Sequence, residues 1–143
     1  MESIVREDLL PTILVVDDES SILRVLARVL GRQGMMVHTA NSGVQGLLFL
    51  EKEQVDLVLS DQIMPGLTGA QLLAEVAHRW PDTERILMSG HCDPDIVAQG
   101  LRSEEIGCFL IKPLNAAAMR DIQERATGAY QRRINRPKAP PPP

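Results

Sequence analysis

Three carboxylates, one hydroxyl and one ammonium stand out in this chain of 143 residues. Asp17 and Asp18 follow "TILVV", Asp61 ends "VDLVLSD", Ser89 ends "RILMS", and Lys112 lies in "CFLIKP". Two unit charges about 4 Å apart repel by roughly 4 kcal/mol at an effective dielectric near 20, so three carboxylates gathered in one place need a cation. Oxygen donors with no His or Cys among them favour Mg²⁺, or a similar hard ion such as Mn²⁺. Lys112 neutralises part of that charge but not all of it. A metal, an ammonium and a hydroxyl around one carboxylate suit phosphoryl transfer, in which each holds one oxygen of the group in transit. Asp61, alone before the loop "QIMPGLTG", is the natural nucleophile, since a carboxylate accepts a phosphoryl group as an acyl phosphate.

These groups span nearly a hundred positions, so the fold must gather them. Short β-like runs alternate with helical ones, the pattern of an α/β domain. "TILVVD" reads as a central strand covered on both faces, because four apolar residues run from 13 to 16 without a break. Residues 19–33 form an amphipathic helix with Ile22, Leu26, Val29 and Leu30 on one side, stopped by Gly34. "MMVHTA" is the second strand. "NSGVQGLLFLEKE" is the second helix, with Ser42 as its cap and Val44, Leu47, Leu48 and Leu50 as its apolar side. After the strand ending in Asp61 come "GAQLLAEVAHRW" (helix), "RILMSG" (strand), "DPDIVAQGL" (short helix), "CFLIKP" (strand) and a last helix from 115 to about 125. In an open, doubly wound parallel sheet the crossovers are right-handed and functional groups collect outside the carboxyl ends of the strands. Asp17, Asp18, Asp61, Ser89 and Lys112 all stand at such ends.

Composition bounds the rest. An apolar content of 44% fills one core, and with only four aromatics that core is mostly aliphatic. No run approaches the roughly 18 apolar residues of a membrane span, and "MESIVREDLLP" lacks the marks of a secretory signal, so a soluble cytoplasmic protein is expected. Cys92 and Cys108 read as reduced thiols rather than a disulfide framework or metal-ligand pair. Arg132, Arg133, Arg136 and Lys138 are the charges of residues 129–143; taking these four from the net −4 leaves −8 on residues 1–128, a poor nucleic-acid binder. No Gly-rich phosphate loop follows the first strand, which argues against a nucleotide-binding fold. The chain divides into an N-terminal extension (1–11), a domain (12–127) and a basic Pro-rich tail (128–143) expected to be disordered.

The pair Asp17-Asp18, "DQIMPGLTG", Ser89 followed by a small residue, and Lys112-Pro113 together resemble the receiver domain of two-component response regulators, over about residues 12–127. The resemblance implies a flavodoxin-like (βα)5 fold with strand order 2-1-3-4-5. It implies that Asp61 accepts a phosphoryl group from a histidine kinase or a histidine phosphotransfer protein. Asp18 and Asp61 would contact Mg²⁺ with the backbone carbonyl of Ile63, and Asp17 would hold it mainly through water. Lys112 would pair with the phosphoryl oxygens, Ser89 would move toward them, and Phe109 matches the aromatic switch position. Pro113 would follow a cis peptide. Ile63 and His91 flank the path of the water that hydrolyses the acyl phosphate. Output would run through the fourth helix, fifth strand and fifth helix, to a protein partner or a second copy, with no direct nucleic-acid or membrane contact. Such a chain phosphorylates itself from a donor and slowly loses the group; it is not a conventional enzyme. Residues 89–113 also look loosely like receivers attached to cyclic-dinucleotide phosphodiesterase domains.

Other readings stay open. The chain could be a receiver-shaped interaction module that never carries phosphate. It could be an aspartyl-nucleophile phosphohydrolase, although such enzymes usually carry a second Asp where Ile63 stands. Asp18 or Glu19 alone reads as a helix cap, Phe109 as core, His91 as surface, and Asp56 as a solvated charge at its strand's start.

Overall fold

The computed structural model describes residues 9–137. Five strands, β1 (Thr12–Val16), β2 (Met36–Ala40), β3 (Leu57–Asp61), β4 (Glu84–Ser89) and β5 (Cys108–Ile111), alternate with five helices, α1 (Ser20–Arg32), α2 (Gly43–Lys52), α3 (Gly69–Arg79), α4 (Pro94–Arg102) and α5 (Ala116–Ile134). All four strand pairings are parallel and the order is β2-β1-β3-β4-β5. This is the flavodoxin-like (βα)5 arrangement expected from the sequence.

Side-chain alternation along the central strands splits the interior in two. Ile13, Val15, Leu57, Leu59, Ile86 and Met88 meet Leu23, Leu26 and Leu30 of α1 and Ile122 and Ala126 of α5 on one face. Leu14, Val16, Val58 and Leu87 meet Leu50 of α2 and Leu72, Leu73 and Val76 of α3 on the other. Each fully buried aliphatic side chain contributes about 1.5–3 kcal/mol, and β1 and β3 are buried at every position. That explains why their sequences run apolar without alternation.

The second helix corrects the expected apolar side. Leu50 is buried, but Val44 and Leu48 are 59% and 53% exposed, and the helix instead turns Gly43 and Gly46 inward. A Cβ at Gly46 would stand 3.3 Å from Val16 Cγ2, and one at Gly43 would stand 2.8 Å from Leu67 Cδ2. Missing side chains let this helix lie close to β1 and the loop after β3, a choice that apolar spacing does not reveal.

The last helix corrects two further expectations. It runs nine residues past position 125, to Ile134, so residues 128–134 of the expected tail are helical. Ala126 and Ala129 are buried on its inner side. One turn on, Arg133 donates from Nε and from its second terminal nitrogen to the two oxygens of Asp56, at 2.7 and 3.1 Å. Asp56 is thus no solvated charge. It is 3% exposed and also accepts the Thr12 N–H at 2.8 Å. A buried carboxylate requires such partners, and this one ties the start of β1, the start of β3 and the end of α5 together. Residues 1–8 of the expected extension and 138–143 of the tail, with its proline run, lie outside the described residues.

Candidate functional site

The parallel register brings the chemistry-bearing residues to one edge. Val16 aligns with Ser60, Asp61 with Met88, and Ser89 with Ile111, so the residues ending or following β1, β3, β4 and β5 emerge side by side. Asp17, Asp61 and Ser89 are buried and Asp18 is exposed. One carboxylate oxygen from each of Asp17, Asp18 and Asp61 lies within 4.8 Å of the others. Lys112 Nζ stands 2.8 Å from Asp17 Oδ2 and 3.2 Å from Asp61 Oδ1. Lys112 follows β5 and precedes a cis bond to Pro113, and its backbone N–H donates to the Ser89 carbonyl at 3.1 Å.

Charge and burial oppose each other here. Burial raises the Asp61 pKa above its ordinary 3.8, the Asp17 charge raises it further, and Lys112 offsets only part of both. For Lys112 burial works to lower the pKa, but its hydrogen bond and charge contacts with Asp17, and then Asp61, outweigh that and raise it. The ammonium therefore stays charged, and the cluster as a whole keeps an excess of negative charge. Three oxygen donors that close, one of them exposed, form an acidic pocket compatible with Mg²⁺.

The capping reading of Asp18 and Glu19 is replaced by a different contact. Glu19 is the N-cap of α1 but makes no side-chain cap bond. Instead Asp17 Oδ1 accepts the Glu19 N–H at 3.0 Å, so Asp17 is held from two sides and Asp18 is left toward solvent. Ser89 Oγ donates to the His91 carbonyl at 2.8 Å and lies 3.1 Å from the His91 N–H, which it accepts. Its hydroxyl is therefore engaged within its own loop rather than with Asp61. His91 is exposed, Ile63 is 64% exposed, and Phe109 is partly buried against the core that holds Leu87 and Ile106.

Two further residues lie beside Asp61, of which Gln62 carries no reading from the sequence. Gly69 opens α3 so close to Asp61 that a Cβ there would meet the Asp61 carbonyl oxygen. Gln62 is buried, and its side-chain oxygen accepts the Ala70 N–H of α3. A polar residue directly after a strand-end carboxylate, followed seven positions on by glycine, was the available signal.

Residues 13–124 match the response regulator receiver domain family. The chain belongs to that family. This receiver domain is 38% identical over 102 residues to the hydrogenase transcriptional regulatory protein HoxA of Cupriavidus necator, covering 71% of this chain and 21% of that protein. It is 38% identical over 108 residues to the transcriptional regulatory protein GlrR of Escherichia coli K12, covering 75% and 24%. The chain thus spans about a quarter or less of these curated relatives. Among solved structures, a response regulator receiver domain protein from Clostridium thermocellum aligns with TM-score 0.76 and 33% identity, covering 87% of this chain and 98% of that one. The signal receiver domain of an HD domain-containing protein from Pseudomonas fluorescens Pf-5 aligns with TM-score 0.76 and 30% identity, over 89% and 99%. Among the described residues no helix is long and apolar enough to cross a membrane.

Proposed function

We propose that this receiver domain, taken as residues 12–127 with α5 continuing beyond, is a phosphorylation switch that accepts a phosphoryl group on Asp61. The observation that carries this reading is the Lys112 ammonium lying against both Asp17 and Asp61, inside a cluster of three carboxylates. An Asp61 oxygen attacks the phosphorus of a phosphohistidine, the P–N bond breaks, and the imidazole leaves with its electron pair as the acyl phosphate forms. Asp18, Asp61 and the Ile63 carbonyl would hold Mg²⁺, with Asp17 acting mainly through water. When bound, the ion offsets the negative charge that otherwise repels an incoming phosphate. Lys112 then turns from its carboxylate partners to a phosphoryl oxygen.

The donor in this reading is a histidine kinase or a histidine phosphotransfer protein. An open groove of about 610 Å³ runs from Lys112 between α1 and the start of α5, lined by Ile22, Val25, Leu26, Val29, Leu114 and Met119. Its apolar lining beside the acceptor suits a donor helix that presents histidine to Asp61. After transfer, Ser89 exchanges its bonds to His91 for the phosphoryl group, and Phe109 responds with the loop. The α4-β5-α5 face then binds a protein partner, or a second copy, better in one state than in the other. In this reading Ile63 and His91 screen or admit the hydrolytic water.

The test is transfer from a histidine-phosphorylated phosphotransfer protein carrying labelled phosphate. Label should leave the histidine and appear on this chain, and Asp61→Asn should abolish its arrival. Retention of label on several donors, with the chain folded and Mg²⁺ present, would favour the interaction-module reading instead.

A further inference from the structure

We propose that Gln62 is a positioning residue for this site, a staple that holds the loop carrying Ile63 in register with the Asp61 carboxylate. The inference rests on the phosphoryl-acceptor reading above. Gln62 is 6% exposed and makes three bonds at the two ends of that loop. Its backbone N–H donates to the Met88 carbonyl of β4 at 3.1 Å, and its carbonyl accepts the Gly69 N–H at 3.0 Å. Its side-chain oxygen accepts the Ala70 N–H at 2.7 Å.

The last two bonds do a job that α3 cannot do for itself. The first four N–H groups of a helix have no partner within it. A capping box satisfies two, the Thr68 side chain accepting the Gln71 N–H and the Gln71 side chain accepting the Thr68 N–H. Gln62 satisfies the other two, at Gly69 and Ala70. The start of α3 is therefore fixed to the residue next to the acceptor, and Gly69, by lacking a Cβ, lets it come against the Asp61 carbonyl. Residues 63–68 are strung between two clamped points. Gly66, at φ +79°, supplies the left-handed turn this requires. In the acceptor reading the Ile63 carbonyl is the metal ligand this loop supplies, and the Ile63 side chain is exposed. Without the side-chain staple the Ala70 N–H loses its acceptor, the loop's far end is held by the Gly69–Gln62 backbone bond alone, and the metal-facing carbonyl is less firmly preorganised.

The experiment compares the parent chain with Gln62→Met, which keeps the size but offers no good acceptor, and Gln62→Glu, which keeps an acceptor at similar reach. Ser42→Ala removes a cap from α2 and controls for general loss of helix stability. Mn²⁺ affinity is measured by calorimetry on the unphosphorylated chain, and exchange of the Ala70 amide by NMR. Gln62→Met is expected to weaken Mn²⁺ binding about tenfold, as loss of a supporting partner to a metal ligand typically does. Ala70 exchange should rise about tenfold on loss of its buried acceptor. Gln62→Glu should restore Ala70 protection and bind Mn²⁺ at least as well as the parent, while Ser42→Ala should move neither quantity. A folded Gln62→Met chain with parental Mn²⁺ affinity overturns the staple and leaves the acceptor reading standing. A parent chain that binds no metal overturns both.

Discussion

The Lys112 ammonium lies 2.8 Å from the carboxylate of Asp17, a residue 95 positions away whose side chain is wholly buried. Removing one member of such a pair is costly because the other is left charged and out of water. Lys112→Met should destabilise the metal-free chain by about 3 kcal/mol, read from the denaturant midpoint at unchanged slope. An unchanged midpoint at neutral pH would show that the pair is not formed in solution.

Asp61 works against the fold that positions it. Its pKa is raised by burial and by Asp17, despite Lys112, so the folded state binds this proton more tightly than the unfolded chain does. Ionising Asp61 therefore costs stability at neutral pH, and the cost disappears as pH falls through the folded value. Asp61→Asn should raise the melting temperature of the metal-free chain by a few degrees at pH 7, and the gap from the parent should close toward pH 4. Mg²⁺ at ten times its Kd should stabilise the parent by about 1.4 kcal/mol, and the variant by less.

At the opposite end of the sheet, Arg133 and Asp56 hold α5 to β1 and β3. Arg133→Met should cost about 3 kcal/mol by leaving Asp56 buried with its charge uncompensated. Hydrogen exchange should speed up over residues 128–134 while Asp61 remains competent for phosphorylation. Protection of those residues in the variant would mean that Ala126 and Ala129 alone fix the helix end.

Ser89 spends its hydroxyl on His91 in the unmodified chain. Ser89→Ala should change stability by no more than about 1 kcal/mol, since the neighbouring loop is open to water. It should still accept phosphate. The phosphorylation-dependent change in hydrogen exchange over α4 should be lost, and its persistence would remove Ser89 from the switch.

The ends of the central strands were legible because their signals are local and repeated. An unbroken apolar run marked β1 as covered on both faces, and Asp17, Asp61, Ser89 and Lys112 each stood at the end of a strand-like segment. One rule about parallel sheets then placed them together. What stayed hidden depends on pairs with no periodic signature. Asp56 looks like any acid beside a strand until Arg133 arrives from 77 positions away. The close seat of α2 depends on what Gly43 and Gly46 lack. Gln62 is an ordinary polar residue unless the start of α3 is known to lie above it. Such contacts depend on geometry in three dimensions, which residue types and spacing do not encode on their own.

The central claim is tested most directly by intact mass after incubation with Mg²⁺ and a small acyl phosphate donor, with Asp61→Asn and a metal-free parent run alongside. The account predicts one added phosphoryl group on the parent, none on the variant, and none without metal. Addition that survives Asp61→Asn, or that ignores the metal, would contradict it.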